Sequence, residues 1–261
     1  MTLFSHFTSN RFSLTAIVLT LLLSVSTVFF PDPVRAREFN VEVEAGGAWF
    51  SRNDVRIPNE GGTRFDMIDL IGSDATPYYR VRFNISFSGR HLARILYAPF
   101  TKSGTGIFHN DVFFEASTFS GGIPVKGTYR FSTYRFTYRY TFHDSEAWQL
   151  GAGVAGLIRD AKVQLQQEDL LEKNTDLGFV PLVHLYARRN LSTALSVRLD
   201  AETLAGPQGR ATDAALTVHY ELPGNLTLFT GYRLLEGGAD VEQVYNFSWI
   251  HFGLLGLAKT F

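Results

Sequence analysis

The 261-residue chain has no cysteine, two methionines and a formal net charge of −1. Without cysteine there is neither a disulfide framework nor a thiolate metal site. A nearly balanced charge leaves no electrostatic footprint for nucleic acid. Beyond residue 36 no stretch is apolar enough to cross a bilayer as a helix. No spacing of His, Asp and Glu matches a metal motif, so neither a metal nor a cofactor is expected. Aromatic residues, by contrast, are abundant, with 23 Phe and 11 Tyr. A water-soluble core and a lipid-facing surface both use them, so their spacing has to decide.

Residues 1–36 read as an export signal. Arg11 supplies a basic start, Leu14 to Phe30 is a 17-residue apolar run, and Pro31 and Pro33 end it. Val34-Arg35-Ala36 offers small residues at −3 and −1 of a cleavage site before Arg37. The run is at the lower edge for a membrane helix, so an uncleaved anchor is the alternative. Residues 37–261 then form one domain, a size that β-barrels reach undivided.

Within that domain the polarity has a period of two. Phe39, Val41, Val43 and Ala45 alternate with Asn40, Glu42 and Glu44, and Tyr79, Val81, Phe83 and Ile85 with Arg80, Arg82 and Asn84. The strongest segment, Thr133 to His143, sets Tyr134, Phe136, Tyr138, Tyr140 and Phe142 against Thr133, Arg135, Thr137, Arg139 and Thr141. Five aromatics at every second position exclude a helix. Val125, Tyr129 and Phe131 fall out of phase with this set, which predicts a bulge near Ser132. The polar patch Gln166 to Thr175 reads as a loop, and Gly206-Pro207-Gln208-Gly209 and Glu236-Gly237-Gly238 as breaks.

About ten strands result, with eight to twelve compatible with the pattern. Connections after the second, fourth, sixth and eighth are short. Those after the first, third and fifth run long, and those after the seventh and ninth are intermediate. Short turns at one end and longer loops at the other are the asymmetry of a membrane barrel, and the export signal points the same way. The expected fold is all-β, a single antiparallel up-and-down transmembrane β-barrel with both termini periplasmic.

The inward face is then ionic. Glu42, Glu44, Arg80, Arg82, Arg94, Arg135, Arg139, Arg198 and Arg233 form a lumen charge network, because unpaired ions there cost several kcal/mol each. Ten strands lie nearer a side-chain-filled barrel than a wide pore. Asp200, Glu202 and Asp213 are placed at the outer rim. There they could bind a cation through oxygen ligands or supply an acid or base, against neutralisation by Arg198, Arg210 and Arg233. Ser196 opposite His219, with Glu221 nearby, suggests a nucleophile and base, against a hydrogen-bonded interior histidine, the reading also given to His184. His109-Asn110-Asp111 is a weak metal candidate in a loop. The stretch FDMIDLI within residues 52–76 is expected to cap the barrel mouth.

The export signal, the alternating strands, YRFTYRY and the terminal Phe261 together resemble small bacterial outer-membrane β-barrel proteins over residues 38–261. That resemblance implies a cell outer-membrane location, and Phe261 as the signal read by the barrel-assembly machinery. It also implies outer-membrane lipid and lipopolysaccharide as surroundings, and a monomer. Leu255 and Leu257 fit the apolar alternation before such an end, and Lys259 departs from it. No residues match the omptin-type proteases or lipid A deacylases. The expected role is non-enzymatic, either structural or binding or passing a small solute. The alternatives are an enzyme acting on lipid or peptide at the outer rim, and an adhesin.

Overall fold

A computed structural model describes residues 37–207 and 209–261; the expected export signal and Gln208 lie outside the described residues. In chain order it contains β1 (Glu38–Arg56), β2 (Phe65–Asp66), the helical turn α1 (Ile68–Ile71), β3 (Thr76–Phe87), β4 (His91–Ala98) and β5 (Thr101–Ile107). There follow β6 (Val112–Phe114), β7 (Ser117–Phe119), β8 (Pro124–Asp144), β9 (Trp148–Gln167) and β10 (Leu170–Asn190). The last four are β11 (Leu195–Gly206), β12 (Gly209–Leu222), β13 (Leu226–Val241) and β14 (Val244–Thr260).

These strands close on themselves. Each pairs antiparallel with its neighbour from β8 to β14, and β14 returns to β1 through Asn40↔Thr260 to Arg56↔Tyr245. β1 then pairs β3, β3 pairs β4, and β4 and β5 together form one stave against β8. Ten staves complete the cylinder. Closure pairs each full-length stave on both sides, the condition for strands to cross hydrocarbon, while the short β2 and β5 pair on one side only. The outward face supplies the rest: Val43, Phe83, Phe136, Val154, Leu216 and Leu255 all stand exposed, on strands spread around the barrel. The protein is a closed antiparallel β-barrel with an apolar outer face, the architecture of a transmembrane barrel.

Three expectations about its strands are corrected. Gln166 to Thr175 is not a loop, since β9 and β10 stay paired up to Leu170↔Gln167. Glu236-Gly237-Gly238 does not break β13, which remains paired with β12 and β14 through these residues. In both places the wall rises past the apolar band, so neither face meets hydrocarbon. Alternation disappears there while the hydrogen-bond ladder continues. No bulge occurs near Ser132; β8 keeps register with β9 from Lys126 to Thr141 and shifts only between Thr141 and His143.

Tyr129 and Phe131 lie on the same inward face as Arg135. The phase is constant and the inner surface changes character, from ionic near the chain ends to apolar further up. On β1 the same change runs from Glu42 and Glu44 to Ala48, Phe50 and, past a shift at Arg52, Val55.

The apolar half is filled from above. The segment between β1 and β3 folds inward, burying Phe65, Met67, Leu70 and Ile71 against Phe50, Tyr129, Val125 and Leu165. Phe108, Val112, Phe114 and Phe119, around the β6–β7 hairpin, join the same cluster. Gly104 and Gly106 admit α1: a Cβ on Gly106 would stand 2.1 Å from the Asp69 carbonyl oxygen, and one on Gly104 2.5 Å from that of Leu70. FDMIDLI thus caps the mouth over β1, β5 and β8.

Candidate functional site

Consecutive inward positions on neighbouring strands place the ionic side chains in one continuous layer across the barrel. Arg82 donates to Glu42 (3.3 Å) and Glu44 (2.9 Å), and Arg198 donates to Glu42 from the far wall at 3.0 and 3.1 Å. Arg233 makes a two-pronged contact with Glu44 and reaches Asp213 at 2.6 Å. Arg80 donates to the other oxygen of Asp213 at 2.8 Å. Arg135 bonds Glu202 and lies 3.0 Å from Asp213, and Arg94 holds both oxygens of Asp200 at 2.9 and 3.1 Å. Tyr78 and Thr137 donate hydroxyls to Glu44 and Glu202. Arg139 stacks 3.7 Å from the Tyr186 ring centroid.

Paired and hydrogen-bonded charges of this kind survive burial where single ones would not. Within the layer, a void of about 10 Å³ bounded by Arg80, Arg94, Arg135, Asp200 and Asp213 has room for about one water.

Asp200, Glu202 and Asp213 do not stand at the rim. Glu202 pairs with Asp213 in the β11–β12 register, yet both are buried, because β11 and β12 continue above them to Gly206 and Gly209. Their neutralising partners are Arg94, Arg135, Arg80 and Arg233. Of the arginines expected there, Arg198 serves Glu42, while Arg210 bonds Glu236. His184 is fully buried with neither ring nitrogen hydrogen-bonded; its Nδ1 stands 3.4 Å from Glu202 and 3.8 Å from Asp200. These three could converge on a cation. Both carboxylates already bind guanidinium groups, so the donor set is occupied and its surroundings repel a metal.

Ser196 and His219 are register partners but do not bond one another. Ser196 accepts from Arg188 at 3.1 Å, while His219 Nε2 meets Thr217 at 2.8 Å and its ring stacks on Phe229. A nucleophile needs its base within hydrogen-bond reach, and here each is engaged elsewhere. His109 is exposed, and Asp111 is occupied as acceptor for the Gly121 N–H at 2.9 Å. Phe261 donates its backbone N–H to Phe39 at 2.8 Å, closing the seam between the first and last strands.

Sequence reasoning missed a cleft of about 280 Å³ above the ionic layer, on the side the inward loops leave open. Its wall is mostly apolar, with Leu157, Val180, Leu182, Ala211 and Leu235 pointing in. Arg159, bonded to Asp176, lies on the wall, and Arg135 and Asp213 form the floor. No local motif announces it, because the lining comes from strands far apart in sequence. The one available signal was the appearance of apolar residues at inward positions, such as Leu157 and Leu182.

No protein-family model matches this chain, and no curated protein does. Among solved structures, the outer membrane protease OmpT from Escherichia coli aligns over 90% of this chain and 99% of its own, at 8% identity and a TM-score of 0.49. The attachment invasion locus protein Ail of Yersinia pestis covers 85% of this chain and 99% of its own, at 8% identity and a TM-score of 0.38. The transport unit of the autotransporter AIDA-I from Escherichia coli covers 95% and 97%, at 10% identity and 0.42. Their roles differ from one another, and likeness at this level transfers none of them.

Proposed function

We propose that this protein is a non-enzymatic outer-membrane barrel that binds a small, largely apolar solute in the cleft above its sealed lumen. One observation carries the reading: a cleft of about 280 Å³ with apolar walls stands directly over a layer whose void is about 10 Å³. Ligand sites typically combine apolar walls with a few placed polar groups; here Arg159 and Asp176 supply such groups. The acid–base candidates support a non-enzymatic role, since Asp200, Glu202 and Asp213 are all engaged by arginines beneath the cleft. The four short turns share the end where β1 starts and β14 finishes, which favours a periplasmic position for that end and a cell-surface position for the cleft. Phe261 is proposed as the element read during assembly.

The test is native mass spectrometry of the barrel purified from its own membrane in mild detergent, beside Leu182→Trp and Ala211→Trp, which fill the cleft. A small-molecule adduct on the wild type, lost in both variants with folding intact, is expected. An adduct unchanged by either substitution, or none on the wild type, overturns the reading.

A further inference from the structure

Where the wall rises past the apolar band, the outward positions of three adjacent strands carry four cations, three of them lysines that form no ion pair among the described residues. Lys126 and Arg130 lie on β8, Lys162 on β9 and Lys173 on β10. Their inward neighbours fix this direction: Tyr129, Val163 and Leu165 are buried in the apolar interior, so Arg130, Lys162 and Gln164 alternate to the outside. Arg130 and Lys162 are register partners, and Lys173 sits opposite Gln164, two positions from Lys162.

One ion pair is made within this group, and Glu168 and Asp169 lie beyond it in the β9–β10 turn. Asp160 binds Arg130 at 2.6 Å, whereas Lys162 donates to Gln164 at 3.1 Å. Glu172 points inward, accepting from Ser117 at 2.6 Å. The opposite wall differs at this height: Arg52 and Arg64 are matched by Asp54, and Arg210 by Glu236.

Directly below the cations, on the same outer face, Leu177 and Phe179 are 74% and 70% exposed, among the barest large apolar side chains of the barrel. Ile158 and Phe136 continue this surface on β9 and β8. We infer that this face binds a phosphate-bearing lipid, its headgroup phosphates held by Lys126, Lys162 and Lys173 and its acyl chains lying over Leu177, Phe179 and Ile158. Cations just outside the hydrocarbon attract anionic headgroups, and an apolar surface beneath them separates an anchored phosphate from a free one. The inference rests on the orientation given above and not on the cleft ligand.

The test compares the wild type with the triple variant Lys126→Gln, Lys162→Gln, Lys173→Gln, which leaves the Arg130–Asp160 pair in place. Both are reconstituted with a bis-phosphorylated lipid A or with its dephosphorylated form, and retained lipid is counted by native mass spectrometry. The wild type should retain the phosphorylated lipid at least about tenfold better than the triple variant, with no preference for the dephosphorylated form. Equal retention by the two proteins, equal retention of the two lipids, or complete displacement by millimolar inorganic phosphate overturns it. Unchanged circular dichroism and heat-dependent gel migration confirm that the variant is folded. Labelling of Glu168→Cys on intact cells tests orientation separately, and the Leu182→Trp adduct reports on the cleft alone.

Discussion

Glu44 and Arg233, 189 residues apart in sequence, meet on the lumen side of the wall with two hydrogen bonds of 2.9 and 3.1 Å, tying β1 to β13 over the intervening β14. Arg233 also holds Asp213, and Glu44 also holds Arg82, so the pair joins two halves of the ionic layer. Glu44→Gln leaves two guanidinium groups under-compensated and should cost ~3–5 kcal/mol, measured by urea unfolding of the lipid-embedded barrel. The double variant Glu44→Gln, Arg233→Gln should cost less than the sum of the single ones, because the two losses share one interaction. Strict additivity would show that the pair is not coupled.

The same layer governs permeation. Purified barrel in a planar bilayer should show no sustained unitary current, since the ionic residues interlock around a void of about 10 Å³. Stable single-channel steps would mean that water and ions pass the arginines.

Gly106 controls the cap. Gly106→Val should drive α1 off β5, because its Cβ would meet the Asp69 carbonyl at 2.1 Å and the Leu70 Cα at 2.9 Å, both backbone atoms. Limited proteolysis should then cut within residues 57–75 at least several-fold faster, while the transmembrane ladder persists by circular dichroism. Leu70→Ala should loosen the same segment by ~2–5 kcal/mol through lost packing alone.

The cap also has an acid-sensitive fastening. Partial burial raises the Asp54 carboxyl, but hydrogen bonds from Arg52 and Arg64 outweigh it, and the net effect holds it below the ordinary carboxylate range. A depressed carboxylate stabilises the fold above its unfolded pKa and loses that contribution as pH falls through the folded one. Protease sensitivity of residues 57–75 should therefore be flat from pH 7 to about pH 4 and rise below it. Asp54→Asn should remove this acid-induced loosening, leaving the opposite contribution of Asp66, whose carboxyl burial pushes up, and Arg64→Gln should weaken it, since Arg64 is the more exposed partner.

Much of the barrel was readable because two solvents impose opposite demands on alternate residues. Phe136, Tyr138 and Tyr140 face lipid while Arg135, Thr137 and Arg139 face the interior, and that contrast survives in the bare sequence. Legibility ends where the contrast ends. Gln166 to Thr175 is a paired hairpin end that turns at Glu168-Asp169 beyond the apolar band, and period-two polarity has no cause there. Tyr129 was read as a phase slip because an inward residue was expected to be ionic.

The partners of the buried carboxylates were also out of reach of local reasoning. Arg80 finds Asp213 at a separation of 133 residues only because the closed cylinder brings β3 and β12 face to face. The rim position of Asp200 and Glu202 failed for a related reason, the unseen extension of β11 and β12. The cleft depended on both errors, since it exists where the wall is taller than expected and its lining is apolar.

The reversal of the inner surface, from arginine and carboxylate to phenylalanine and leucine within one tube, stacks two plugs of opposite solubility. A hydrated ion entering from the loop side meets charges already paired with one another, Arg159 with Asp176 and then the arginines and carboxylates of the layer below. A greasy molecule that settles among the leucines meets saturated electrostatics beneath and gains nothing by sinking further. Neither kind of traveller finds a medium in which it dissolves along the whole axis.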